Sequence, residues 1–174
     1  MDRLTTAITP VAPFDFELTA GYHTYFQSRY GTDTMEDGVY RRLLDLGDKL
    51  VLASVRSAGT VDAPELELEL QGSELSTADV GLAKERVSWL LGVDQDLAPF
   101  YELGRADQAM AELVERFYGL HLPHTATAFE ALVLAVLGQQ ISTSVARIIR
   151  TLLIETFGPN AEFDGETYYA FPRP

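Results

Sequence analysis

The sequence predicts an α+β fold, an N-terminal antiparallel sheet with two helices followed by a run of helices. Three observations carry this expectation. Three strand-patterned stretches, VYRRLLDL, KLVLASVRS and ELELELQG, follow one another between Gly38 and Gly72, with Leu46-Gly47-Asp48 and Ala58-Gly59 as turn signals. A helix-patterned stretch lies on either side of them. Beyond Asp94 the apolar spacing is helical, without a strand signal.

In chain order, Phe14, Phe16 and Leu18 alternate with Asp15 and Glu17, which predicts a short first strand. LTAGYHTYFQSRYG then places Leu18, Tyr22, Tyr25, Phe26 and Arg29 at three- and four-residue steps, an amphipathic helix stopping at Gly31. The three strands predict a meander. In the last of them, Glu65, Glu67 and Glu69 alternate with Leu66, Leu68 and Leu70, so one face is core and the other is a solvated carboxylate row. Ser76 with Asp79 is an N-cap signal for DVGLAKERVSWLLG, which ends at Gly92. These elements form a sheet with helices on one face, residues 1–93, and a second domain, residues 94–174, follows.

The second domain reads as DLAPFYEL, ADQAMAELVERFYG, TAFEALVLAVLGQQ and STSVARIIRTLLIETFG. Thr127 and Glu130 predict a capping box before Phe129, Leu132, Val133, Val136 and Leu137. Ser142 caps the next helix, whose Val145, Ile148, Ile149, Leu152, Leu153 and Phe157 form a broad apolar stripe ending at Gly158. The closing GETYYAFPRP reads as a proline-rich turn. Phe26, Trp89 and Phe129 fall on apolar faces and are expected to pack in the core.

The composition, 47% hydrophobic and 22% charged over 174 residues, is that of a globular chain. Having no cysteine, it forms no disulfide, thiolate zinc site or iron–sulfur cluster. Neither a signal peptide nor a membrane-length apolar run is present, so a cytoplasmic location and no membrane partner are expected. His121 and His124 would need a third ligand to hold a metal, and no metal or cofactor is predicted. The net charge of −13 argues against a nucleic-acid partner, since phosphate binding draws on Lys and Arg. Divided at Asp94, the chain has 8 basic against 16 acidic residues and then 5 against 10, so neither part is a basic module.

Against that charge stands Leu137-Gly138-Gln139-Gln140-Ile141-Ser142, a corner between two apolar helices. A buried amide without partners costs about 1 to 3 kcal/mol, so this pair should be exposed at a groove or engaged. A polar corner that merely caps its helices satisfies the same requirement.

AFEALVLAVLGQQISTSVARII resembles the start of the helix-hairpin-helix DNA glycosylase core, and ETFGPNAEFDGETYYAFPRP the segment that follows it. LHLPHTATAFE resembles the approach to that core, although His121 stands where arginine is frequent. PFDFELTAGYHTYFQSRY and VYRRLL resemble the N-terminal domain of the bacterial 3-methyladenine DNA glycosylase II family, and the whole chain resembles that family's N-terminal portion. The resemblance implies a half-TATA-binding-protein-like first domain, followed by the first helices of an all-α glycosylase core. It implies base-excision repair on double-stranded DNA containing damaged bases, with no obligate protein partner. In such enzymes the target base is flipped out of the stack. Gln139 and Tyr22 then correspond to base-pocket positions, the latter offering a π-face to an electron-poor base, and Gln140 to the wedge that fills the vacated space. The family's glycine-rich hairpin and catalytic aspartate match no residue here, so no catalytic residue is assigned and the chain alone is expected to be inactive. A non-catalytic DNA-damage-binding module and a protein or small-molecule interaction module are the alternatives.

Overall fold

The structure, a computed structural model, describes residues 1–174. A six-stranded antiparallel sheet, ordered β1-β6-β5-β4-β3-β2, forms its base. The strands are β1 (Asp2–Ile8), β2 (Arg29–Tyr30), β3 (Asp33–Glu36), β4 (Val39–Asp45), β5 (Leu50–Ser57) and β6 (Leu66–Gly72). The last three are the predicted meander. The predicted strand at Phe14–Leu18 is instead the start of helix α1 (Phe16–His23), because the Asp15 side chain accepts a hydrogen bond from the Leu18 amide and caps it. The strand lies earlier, at β1, where only Ile8 of seven residues is buried and no alternation marks it. It pairs along its length with β6, Leu4 opposite Leu70.

Helix α1 stops at His23, short of the expected Gly31. Tyr25 and Phe26 take φ of 52° and 55°, a left-handed pair that turns the chain into β2. Helix α2 (Thr77–Leu91) has the predicted start, with Ser76 and Asp79 in a reciprocal capping box, and stops at the left-handed Gly92. The core lies between the sheet and these two helices: Leu66, Leu68 and Leu70 of β6 and Val51, Ala53 and Val55 of β5 meet Phe16 and Ala20 of α1 and Ala83, Val87, Leu90 and Leu91 of α2. Each such aliphatic side chain contributes about 1.5 to 3 kcal/mol by leaving water.

Helices α3 (Ala98–Ala106), α4 (Gln108–Arg116), α5 (Ala128–Leu137) and α6 (Thr143–Phe157) occupy the predicted segments. The closing segment corrects the reading of this part as helix without strands. Strands β7 (Asn160–Phe163) and β8 (Glu166–Tyr169) form a hairpin over the sheet's other face, where Phe163 and Ala170 bury Leu43 and Leu52. Asp164 at its turn accepts from Arg3 at 2.7 Å and from Gln71 at 3.1 Å. The second face is therefore partly covered rather than wholly wet. Glu67 and Glu69 on it are paired with Arg56 and Arg3 at 3.2 and 3.5 Å.

Two of the expected core aromatics are exposed instead, Phe26 at 65% and Trp89 at 55%. Trp89 still spends its indole N–H on the Thr125 carbonyl at 2.9 Å and stacks on His124. Thus the segment before α5 is laced to the end of α2. No helix is long and apolar enough to cross a membrane.

Candidate nucleic-acid interface

The glutamine corner is built by the way α5 ends. Gly138 closes α5 with its amide on the Leu134 carbonyl, and the Gln139 amide bonds the Val136 carbonyl at 3.1 Å. Gln140 then takes φ of 57°, and Ser142 starts α6 by accepting from the Val145 amide. Left-handed backbone costs a side-chain-bearing residue about 1 to 2 kcal/mol, so this corner stores strain at the residue assigned to the wedge. Both glutamines are exposed.

Tyr22, on α1, is 45% exposed and begins an aromatic row. Its ring lies parallel to Tyr25 with centroids 6.1 Å apart, Tyr25 lies 4.7 Å from Tyr30, and the Arg150 guanidinium sits 4.5 Å over the Tyr30 ring. Burial, with Tyr30 and Tyr22 adding to it, pushes the Tyr25 phenol above its ordinary range. One turn before Arg150, Arg147 donates to the Gln27 side-chain carbonyl at 2.7 Å. The row thus joins Tyr22 to α6, the helix that leaves the corner, rather than to the glutamines themselves.

Beneath the row lies a buried ionic cluster that sequence reading did not single out. Arg42 occupies a core position of β4 between Tyr40 and Leu44 and is 3% exposed. One guanidinium nitrogen donates to both Asp33 carboxylate oxygens at 2.9 and 3.1 Å, and the other to both Glu130 oxygens at 3.0 and 2.7 Å. Asp33 also accepts from Tyr40 at 2.5 Å and Thr32 at 3.0 Å. Arg150 approaches both carboxylates at 3.8 and 4.0 Å, giving two cations for two anions. Burial alone raises a carboxyl pKa, but Arg42, with His23, the Tyr40 hydrogen bond and Arg150 adding to it, outweighs burial and holds Asp33 below its ordinary range. Burial pushes the Tyr40 phenol well up, reinforced by Asp33. The one available signal was a charge in the period-two row Tyr40–Arg42–Leu44.

Glu130 also modifies the predicted cap. Thr127 accepts from the Glu130 amide at 3.0 Å as expected, but the Glu130 carboxylate turns to Arg42 and to the Ala126 amide instead of completing a box at Thr127. The first turn of α5 is thereby anchored to the sheet.

His121 and His124 spend their rings on structure. His121 is fully buried, with Nδ1 2.6 Å from the Gly92 carbonyl and Nε2 2.9 Å from the Pro13 carbonyl. His124 Nδ1 lies 2.7 Å from the Trp89 carbonyl. This leaves His121 without a free ring nitrogen for a metal.

An exposed amide corner, a half-exposed aromatic row and the exposed Arg147 on the departing helix are together suited to contacting a nucleic acid, the amides at base edges and the arginine at phosphate. Solved structures place the fold in one class. It is similar to a 3-methyladenine DNA glycosylase from Archaeoglobus fulgidus, with a TM-score of 0.77 and 23% identity over 96% of this chain and 56% of that one. It is also similar to an 8-oxoguanine glycosylase/lyase of Clostridium acetobutylicum in complex with double-stranded DNA containing cytosine opposite 8-oxoguanine, with a TM-score of 0.66 and 15% identity over 98% of this chain and 54% of that one. The fold is that of a DNA glycosylase.

Among curated proteins, the chain is 40% identical to a DNA-3-methyladenine glycosylase of Bacillus subtilis over 80 residues, 46% of this chain and 26% of that protein. It is 30% identical to the "Probable bifunctional transcriptional activator/DNA repair enzyme AlkA" of Mycobacterium tuberculosis over 162 residues, 92% of this chain and 31% of that protein. By sequence the chain is similar to bacterial 3-methyladenine DNA glycosylases, and it spans about a quarter to a third of the length of these curated relatives. No protein-family model matches it.

Proposed function

We propose that this chain supplies the lesion-recognition side of a cytoplasmic DNA glycosylase that removes alkylated bases from double-stranded DNA in base-excision repair. Residues 1–93 form its half-TATA-binding-protein-like first domain, and residues 94–174 begin the helical domain. The observation that carries the reading is the corner itself: two exposed amides between apolar helices, with Gln140 in left-handed backbone. Gln139 and Tyr22 border the pocket for the displaced base, where the amide meets a base edge and the ring stacks on an electron-poor face. Gln140 fills the gap left in the duplex. Hydrolysis of the N-glycosidic bond by water needs a carboxylate beside the cationic sugar. No residue here matches the family's hairpin or that aspartate, so the chain recognises without cutting.

The test is binding to two duplexes that differ only by a tetrahydrofuran abasic analogue. The chain is expected to prefer the abasic duplex, Gln140→Ala to lose most of that preference, and neither to release a methylated base when incubated separately with alkylated DNA. Equal affinity of the native chain for both duplexes would remove the wedge assignment. Base release would overturn the claim that the chain does not cut.

A further inference from the structure

Seven of the thirteen lysines and arginines in this acidic chain are paired with carboxylates, and of the six that are not, Arg29 and Arg147 line the same groove. The groove, about 350 Å³, runs between Arg29, Tyr30 and Gly31 on one side and α6 on the other, where Arg147, Thr151 and Glu155 face it alongside the apolar Ile148 and Leu152. From this arrangement we infer that the groove is a binding site for the DNA sugar–phosphate backbone beside the lesion, with Arg29 and Arg147 as its phosphate contacts. The inference rests on the repair reading above and adds a partner surface to it.

Charge bookkeeping supports the assignment. Behind the groove, Arg42 and Arg150 balance Asp33 and Glu130, so the buried cluster adds no net charge. What remains at the groove is two arginines against Glu155, a local excess of positive charge in a chain of net −13. Arg147 is also pre-oriented, since the hydrogen bond to Gln27 fixes one end of its guanidinium and leaves further N–H groups to donate. Gly31 makes the arrangement possible: a Cβ there would lie 2.5 Å from Arg150 Nε, so any larger residue would displace Arg150 from its place over Tyr30.

Position supports it as well. Arg147 lies on α6 five residues past its cap Ser142, about 7 Å along the axis from the glutamine corner. Successive phosphates of one strand rise about 3.4 Å, so a strand that followed α6 from a base displaced at Gln140 would bring a phosphate to this groove about two nucleotides on. No base edge is needed, so the contact should be indifferent to sequence and to damage.

The experiment is the salt dependence of binding of the full chain to the intact and abasic duplexes. Each phosphate contact contributes about 0.9 to the slope of log K against log salt, so the double variant Arg29→Gln/Arg147→Gln should lower that slope by about two and weaken both duplexes by the same factor. Arg29→Lys/Arg147→Lys should keep the slope, and Lys84→Gln/Arg86→Gln, which removes the same charge from α2, should leave it unchanged. Gln27→Ala removes the hydrogen bond without the charge and should also leave it unchanged. If the double variant does not fold, Arg29→Gln alone should lower the slope by about one. An unchanged slope in a variant of a chain that does bind DNA overturns this site and leaves the repair reading standing. Failure of the native chain to bind either duplex at low salt overturns both.

Discussion

The Arg42 guanidinium on β4 donates to the Glu130 carboxylate on α5 at 2.7 Å, joining residues 88 positions apart inside the protein. Removing one partner of a buried pair leaves the other charge uncompensated, which costs about 3 to 5 kcal/mol. Arg42→Met, which strands both Asp33 and Glu130, is expected to destabilise by at least that amount in urea unfolding. Glu130→Gln, which can still accept one hydrogen bond, should cost less. A loss below about 1 kcal/mol in Arg42→Met would mean that the cluster does not hold α5 to the sheet.

Acid should unfold the protein in two windows. Burial holds the His23 imidazole below its ordinary value of 6.5, against the opposing pull of Asp33. Burial raises the Asp33 carboxyl pKa, but Arg42 together with His23, Tyr40 and Arg150 holds it below 3.8. Both groups bind fewer protons folded than unfolded, so stability rises with pH across each window. It is complete above about 6.5, falls as the unfolded chain's His23 takes up its proton, and falls again below 3.8 as pH approaches the depressed Asp33 value. Urea midpoints measured against pH should show both declines, and His23→Gln should abolish the upper one while a lower one remains.

Gln140 should separate stability from recognition. Glycine carries no Cβ penalty at the φ of 57° found there, so Gln140→Gly should stabilise the fold by up to about 1 kcal/mol while reducing the preference for an abasic duplex. Stability and preference falling together would point to a corner that only caps its helices.

More than half of each of four aliphatic side chains, Leu132 and Val136 on α5 and Ile148 and Leu152 on α6, is open to solvent. Exposed apolar side chains on neighbouring helices bind hydrophobic dyes. The chain should enhance the fluorescence of anilinonaphthalene sulfonate while folded, and Leu132→Ser/Val136→Ser should reduce that enhancement without lowering the urea midpoint. Dye binding unchanged by the double variant would place the sticky surface elsewhere.

Much of the fold was legible because its elements carry strong local signals. The alternation of Leu66, Leu68 and Leu70, the Ser76–Asp79 box and the Gly92 stop all act over a few residues, and each is realised. Elements stabilised from a distance were not legible. Strand β1 buries little of its own and exists by pairing with β6, and the β7–β8 hairpin owes its place to Leu43 and Leu52, more than a hundred residues earlier. At Phe14–Leu18 a local signal was present but outweighed, since the Asp15 cap decides for helix where alternation suggested strand. The glutamine corner could be found because adjacent amides interrupt an apolar context. The Arg42 cluster could not, because its four charged members come from β3, β4, α5 and α6 and only folding makes them neighbours.

The hairpin over the sheet also sets a timetable. On the ribosome, β1 to β6 can assemble once Gly72 has emerged, yet Leu43 and Leu52 stay uncovered until Phe163 and Ala170 arrive. During synthesis of roughly ninety intervening residues, several seconds at usual elongation rates, the nascent sheet shows water an oily back. A chaperone that grips such surfaces has its opportunity in that interval, and a message cut short before codon 163 would yield a product that keeps it open.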